Sequence, residues 1–131
     1  MTEKAPKIIL VVEGDADIGC FLLHLLEEEA DYQVVLVTDG PQALSLAKTL
    51  QPSLFMLNYH LPHMNGIQLY DQLRTLEGLK AVPAIMLSAS LPYDEVRVRG
   101  IVGLDKPIDI NDLLDTIERL IAITQNKVSS P

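Results

Sequence analysis

The chain has 131 residues, of which 48% are hydrophobic, and this is enough for one domain with a hydrophobic core. Its formal net charge of −8 argues against nucleic-acid binding, which needs a basic surface, and against anionic membranes, which repel an acidic chain. No apolar run is long enough to span a membrane and no export signal precedes the first one, so a cytoplasmic location is expected.

Five short apolar runs predict the strands of a parallel sheet. They cover residues 8–12, 34–37, 54–57 and 84–87, with a weaker run at 101–104. The first four are rich in aliphatic side chains and do not alternate with polar residues, a pattern typical of strands that are buried on both faces.

Helical patterns lie between and after these runs, because apolar residues recur there at helical spacing with charges on the opposite face. The four apolar stripes are Ile18, Phe21, Leu22, Leu25 and Leu26; Ala43, Leu44, Ala47 and Leu50; Ile67, Tyr70, Leu73 and Leu76; and Ile110, Leu113, Leu114, Ile117, Leu120 and Ile121. Helix boundaries are indicated by Asp39-Gly40-Pro41, by Gln51-Pro52 and by Asp109 as an N-cap.

Strands and helices thus alternate about five times, which predicts an α/β fold: a doubly wound, five-stranded parallel sheet with helices on both faces. One domain is expected over residues 7–123, with flexible termini at 1–6 and 124–131. The single cysteine, Cys20, excludes an internal disulfide, and its apolar neighbours predict a buried, unreactive side chain.

Ligands of an open parallel sheet bind at the carboxyl ends of the strands, so the residues that follow each strand are the candidates for a site. These residues are Glu13, Gly14, Asp15 and Asp17 after the first strand, Asn58, Tyr59 and His60 after the third, Ser88, Ala89 and Ser90 after the fourth, and Asp105, Lys106 and Pro107 after the fifth.

This set resembles the receiver domain of two-component response regulators, the CheY-like or flavodoxin-like (βα)5 fold. The most specific segments are the Leu-Pro-x-Met-x-Gly stretch at 61–66 and Lys106-Pro107, which come in the family's order within a resemblance that covers about residues 7–123. The resemblance implies a non-enzymatic signalling protein that works with a histidine kinase or an output protein in a phosphorelay.

In the resembling family, an aspartate at the end of the third strand accepts the phosphoryl group, and acidic residues after the first strand help to hold Mg²⁺. A Ser or Thr after the fourth strand and a Lys after the fifth contact the phosphoryl group. An aromatic residue on the fifth strand takes part in switching the output face. By this correspondence Ser88 and Lys106 match the family pattern.

The other positions depart from that pattern. Asn58 stands at the phosphoacceptor position, and an amide cannot form an acyl phosphate. Glu13 is a longer carboxylate than usual, Gly14 offers no ligand, and Asp15 more naturally caps the first helix. Gly103 stands at the aromatic position. An asparagine introduced to block phosphorylation would also explain position 58, but the two glycines favour natural divergence.

The resemblance and its departures together lead to several expectations. A dedicated magnesium site should be lost, so neither a cofactor nor a metal ligand is predicted. Lys106 should pair with Glu13 and hydrogen-bond to the Asn58 oxygen, and the Lys106–Pro107 peptide is a candidate for the cis form. Because the segment before Lys106 is short, any fourth helix should be confined to about residues 94–100.

Three functional hypotheses follow. The first is a single-domain pseudo-receiver that acts by protein–protein contact through the face of the fourth helix, fifth strand and fifth helix, with a homodimer through this face as one option. The second is a phosphorelay receiver that accepts a phosphoryl group at another acidic residue, Asp15 or Glu13. The third is a flavodoxin-like cofactor-binding protein, which the acidic loop at 13–15 disfavours because it repels phosphate.

Overall fold

The computed structural model describes residues 7–29 and 32–129, with side chains up to residue 123, and it consists of five strands and five helices in alternation. In chain order they are β1 (Lys7–Val12), α1 (Ala16–Glu27), β2 (Tyr32–Val37), α2 (Gly40–Leu50), β3 (Leu54–Asn58), α3 (Gly66–Leu73), β4 (Ala84–Ser88), α4 (Tyr93–Val98), β5 (Val102–Asp105) and α5 (Ile110–Ser129).

The five strands form one parallel sheet in the order β2-β1-β3-β4-β5, which confirms the predicted doubly wound fold. All five residues of β3 are buried, as expected for a central strand covered on both faces. Buried residues of α2, α3 and α4 pack on one face of the sheet, and those of α1 and α5 pack on the other. The carboxyl ends of β1, β3, β4 and β5 therefore meet at one edge of the sheet.

The predicted helix boundaries also form. Asp39 caps α2 by accepting the backbone N–H of Gln42, and Gln51 ends this helix with a left-handed backbone at φ 49°. Asp109 accepts the backbone N–H of Asp112 at the start of α5. These local contacts satisfy backbone groups that a helix end leaves without intrahelical partners.

Two features of α1 differ from prediction. Cys20 is exposed and Phe21 is 53% exposed, because the helix turns Gly19, Leu22 and Leu26 toward the sheet. The apolar stripe expected from the sequence was therefore too wide, and its edge faces solvent.

Helix α5 runs to Ser129, and no Gly or Pro interrupts the sequence from residue 124 to residue 129. The flexibility expected from residue 124 onward stays a prediction. The other predicted flexible residues, 1–6 and 130–131, lie outside the described residues.

Helix α4 has only six residues, in agreement with the short helix predicted for this segment, and the residue at its start makes no side-chain cap. The C-terminal end of α4 is bound to helix α3 by an ion pair. Arg99 donates from Nε and Nη2 to the two carboxylate oxygens of Asp71 on α3, at 2.7 and 2.8 Å. Arg97 instead pairs with Asp94 on its own helix, so the two arginines do not act together.

We expect Asp71→Asn to lower the free energy of unfolding by about 1 kcal/mol at neutral pH, because the carboxylate is half exposed and solvent screens the ion pair. The hydrogen bond from Arg99 holds the pKa of Asp71 below its usual range. The stability from this pair is therefore present above the unfolded-state pKa and is lost as the pH falls through the lower folded-state value. Urea denaturation of both proteins from neutral to acidic pH measures this.

The matched control is Asp94→Asn, which breaks an ion pair whose two side chains are almost fully exposed. We expect no measurable change in this variant. An equal loss in both variants would show that the Arg99 pair is no stronger than a surface ion pair.

Candidate functional site

The candidate site is built around two buried polar side chains at the carboxyl edge of the sheet. Glu13 directly follows β1 and Asn58 ends β3, and they are only 2% and 7% exposed. The Nδ2 group of Asn58 donates to both carboxylate oxygens of Glu13, at 2.9 and 2.8 Å. The Oδ1 atom of Asn58 accepts the backbone N–H of His60 at 3.1 Å, so both ends of the amide are occupied.

Lys106, which follows β5, completes this group. Its Nζ lies 3.8 Å from Oε1 of Glu13, which is the ion pair that the sequence predicted. The hydrogen bond expected from Lys106 to the Asn58 oxygen is not present among the described residues, because that oxygen faces the backbone of His60. The Lys106–Pro107 peptide is cis, as considered from the sequence.

Asp15 contributes to helix α1 rather than to the buried group. Its Oδ1 accepts the backbone N–H groups of Asp17 and Ile18, at 2.9 and 3.2 Å, while its own N–H donates to Glu13. Gly14 lies between the two acids and has no side chain to place in the site. A Cβ atom there would lie 3.3 Å from the ring of Pro62.

Ser88 is the last residue of β4, and Gly103 lies on β5. The buried Ser88 Oγ accepts the backbone N–H of Ser90 at 3.0 Å, a local contact. At Gly103, a Cβ atom would lie 2.8 Å from Cδ1 of Leu91 and 3.4 Å from Cγ1 of Val96. Leu91 therefore fills the space above Gly103, and sequence reasoning missed it because nothing in its local pattern marks it as part of this face.

Gly66 is the first residue of α3 and lies close to the backbone at the end of β3. Its N–H donates to the carbonyl of Tyr59 at 2.8 Å, and a Cβ atom there would lie 2.8 Å from the carbonyl oxygen of Asn58. The glycine is required for close approach of α3 to the end of β3 and not for a positive φ, which it does not have.

One known protein family matches this chain over most of its length. The family model described as the response regulator receiver domain matches residues 9–118. The chain therefore belongs to the response regulator receiver domain family of two-component signalling. Receiver domains interact with histidine kinases and output proteins, and in general they are signalling modules rather than enzymes.

Curated relatives support this membership. The chain is 33% identical over 117 residues to Protein Rrf1 of Nitratidesulfovibrio vulgaris, covering 89% of this chain and 84% of that protein. It is 29% identical to the polar-differentiation response regulator DivK of Brucella anthropi, covering 86% of this chain and 94% of DivK. It also matches 12% of the much longer sensor histidine kinase TmoS of Ectopseudomonas mendocina, at 30% identity over 88% of this chain.

Solved structures agree with the fold. The chemotaxis protein CheY4 of Vibrio cholerae superposes with a TM-score of 0.81 at 27% identity, covering 88% of this chain and 99% of CheY4. The receiver domain of the sensor histidine kinase PA1611 of Pseudomonas aeruginosa gives a TM-score of 0.81 at 26% identity, covering 90% of this chain and 99% of that domain. That domain was solved with a magnesium ion in its active-site cleft. In the part of the present chain that the structure describes, no helix is long and apolar enough to cross a bilayer.

Proposed function

We propose that this chain is a receiver-type signalling protein that is not phosphorylated at the usual position and acts through protein–protein contacts without catalysis. The observation that carries the proposal is the contact between Asn58 and Glu13. The NH₂ group of Asn58 faces Glu13 and donates to both of its oxygens. An amide has no anionic oxygen with which to attack phosphorus, so Asn58 cannot serve as the nucleophile.

The donor set around Glu13 does not fit a magnesium ion, which prefers an octahedral shell of oxygens with one or two carboxylates. Both oxygens of Glu13 already accept hydrogen bonds from Asn58, and the ammonium group of Lys106 lies close to one of them. Gly14 supplies no ligand, and Asp15 caps α1. Among the described residues no three His, Cys, Asp or Glu side chains are grouped to hold a metal ion. The proposal therefore includes no resident metal and no step through one.

The negative charge of Glu13 is compensated by neighbouring side chains and not by a metal ion. The buried carboxylate of Glu13 needs compensation in a poorly solvated position, and Asn58 and Lys106 supply hydrogen bonds and a positive charge. The strand ends are thus joined without phosphate. This arrangement favours one fixed conformation of the domain over a switch that depends on phosphorylation.

The surface proposed to contact a partner is formed by α4, β5 and α5. An open groove on this surface is lined by Tyr93, Val96, Arg97, Gly100, Ile101 and Gly103. Expected partners are a histidine kinase, an output protein or a second copy of the chain. The acidic composition supports a protein that binds neither nucleic acid nor anionic membranes. A cytoplasmic location is part of the proposal.

The test is phosphorylation by acetyl phosphate in the presence of Mg²⁺, read by intact mass with the receiver domain of PA1611 as the positive control. We expect the mass of the present protein to stay unchanged. A stoichiometric gain of one phosphoryl group that hydroxylamine removes would overturn the proposal. Loss of that gain in Asp15→Asn or Glu13→Gln would then support the second candidate, phosphorylation at another carboxylate.

A further inference from the structure

Three side chains at the carboxyl edge of the sheet carry the functional groups of an amide-forming reaction. Lys106 has a primary amine, Asn58 has a carboxamide, and the carboxylate of Glu13 lies between them. Oε1 of Glu13 accepts a hydrogen bond from Nδ2 of Asn58 at 2.9 Å and lies 3.8 Å from Nζ of Lys106. A single oxygen atom therefore neighbours both a potential nucleophile and the amino group that this nucleophile would displace.

The order of the strands allows Lys106 to reach Asn58. Strand β4 separates β3 from β5, so the ends of these two strands are about 10 Å apart. The side chains of Asn58 and Lys106 approach each other across the end of β4, because both reach the same carboxylate. At 3.8 Å the Lys106 amine is beyond hydrogen-bond range of Glu13, so rotation of the lysine side chain can bring Nζ to Asn58.

The surroundings of Asn58 prepare its amide for attack by an amine. Oδ1 accepts the backbone N–H of His60 at 3.1 Å, and negative charge would develop on this oxygen as an amine adds to Cγ. Nδ2 faces the carboxylate of Glu13, which can transfer protons to it. Asn58 and Glu13 are almost fully buried, so little water can compete with the amine for Cγ.

We propose that Lys106 and Asn58 form an intramolecular isopeptide bond, with Glu13 as the catalytic acid and base. Holding the amine and the amide in one site makes the reaction effectively unimolecular, which is a large kinetic advantage. The inference rests on the proposed function, since it needs the same amide at position 58 that excludes the usual phosphorylation. It makes the single conformation of the strand ends permanent.

The reaction consumes no other molecule. A proton moves from the Lys106 ammonium to Glu13, and the free amine adds to Cγ of Asn58. The amine nitrogen then gives up a second proton to Nδ2 by way of Glu13, the Cγ–Nδ2 bond breaks, and ammonia leaves. The product is an amide between Cγ and Nζ beside a neutral Glu13 carboxyl, so no buried charge is left without a partner. Each chain reacts once with itself.

The bond would join the ends of β3 and β5 and close residues 58–106 into a covalent loop that contains α3, β4 and α4. A crosslink of this kind stabilises a fold mainly because it restricts the unfolded chain. Freshly folded protein has the noncovalent contacts described above, and the crosslinked form accumulates from it with time.

The test is the intact mass of the full chain under denaturing conditions, followed during incubation of the folded protein at neutral pH. We expect a growing fraction of molecules to be lighter by one ammonia than the sequence requires. Trypsin should release residues 49–74 and 100–119 of this fraction as one branched peptide. Fragmentation of the branched peptide should locate the junction at Asn58 and Lys106.

Three variants assign the roles of the side chains. Lys106→Arg keeps the positive charge but not the reactive amine, so it should lose no ammonia. Glu13→Gln keeps the shape of the side chain but not its proton transfer, and it should slow the loss at least about a hundredfold. Lys80→Arg, at an exposed lysine, is the matched control and should react like the parent. The urea midpoint should rise during incubation of the parent and stay constant in Lys106→Arg.

A folded parent protein whose mass stays constant throughout the incubation would overturn the inference. Loss of ammonia confined to peptide 49–74 would also overturn it, because that result would indicate a cyclic imide at Asn65-Gly66. Loss of water with a bond between Glu13 and Lys106 would do the same. The proposed function fails by a gain of mass from acetyl phosphate, so its failure is distinguishable from the failure of this inference.

Discussion

Replacing Asn58 with aspartate is expected to lower the free energy of unfolding by about 3–5 kcal/mol at neutral pH. The change removes the two hydrogen bonds from Nδ2 to Glu13 and places a second carboxylate against the first, both nearly inaccessible to water. The Lys106 ammonium, 3.8 Å from Glu13, would then be the one nearby cation to compensate two negative charges. Urea denaturation at pH 7 measures the loss.

The loss should shrink as the pH is lowered, because one carboxyl of the variant pair can then hold a proton and donate to the other. Asn65→Asp is the matched control, since this Asn caps α3 by accepting the backbone N–H of Gln68 and a carboxylate does the same. We expect this control to stay within about 0.5 kcal/mol of the parent protein. A stable Asn58→Asp protein at pH 7 would show that the Glu13 contact does not hold in solution.

The second large effect is expected at Gly66, where substitution by alanine should cost about 2–3 kcal/mol. The added Cβ would lie 2.8 Å from the carbonyl oxygen of Asn58 and 3.1 Å from the Cα of Tyr59. Both contacts are with backbone, so the end of β3 and the start of α3 must separate. Thermal and urea denaturation report the loss of stability, and the amide shift of His60 reports displacement of Asn58, whose oxygen that amide contacts.

Gly14→Ala provides the comparison within the same site. The added Cβ would lie 3.3 Å from the ring of Pro62, and its other contacts would be at 3.8 Å, an ordinary van der Waals distance. We therefore expect the free energy of unfolding to change by less than about 1 kcal/mol. Similar losses at both glycines would indicate that general crowding of the site, and not the approach of α3 to β3, limits substitution.

The sheet could be predicted from the sequence because its strands are continuous aliphatic runs, and a parallel sheet buried on both faces leaves few other arrangements for them. The candidate site was predictable for the same reason. Once the strand order is fixed, Glu13, Asn58 and Lys106 must end at one edge, and a buried carboxylate requires a partner. The direction of the Asn58 amide was not predictable, because it depends on the backbone N–H of His60.

Other features depend on contacts between residues that are distant in the chain. The pair between Arg99 and Asp71 joins two helices, and neither residue carries a local pattern that indicates it. Leu91 covers Gly103 although the two residues lie on either side of α4 in the sequence. The exposure of Cys20 and Phe21 depends on the rotation of α1 about its axis, which turns Gly19, Leu22 and Leu26 toward the sheet.

The pair between Arg99 and Asp71 has a consequence for the cooperativity of folding. A helix of six residues is too short to be stable by itself, so α4 depends on the surfaces that hold it. Since its end is bound to α3 through a bidentate ion pair, α4 cannot unfold locally without losing that contact. We therefore expect α3 and α4 to belong to one unit of local unfolding, although the whole of β4 separates them in the sequence.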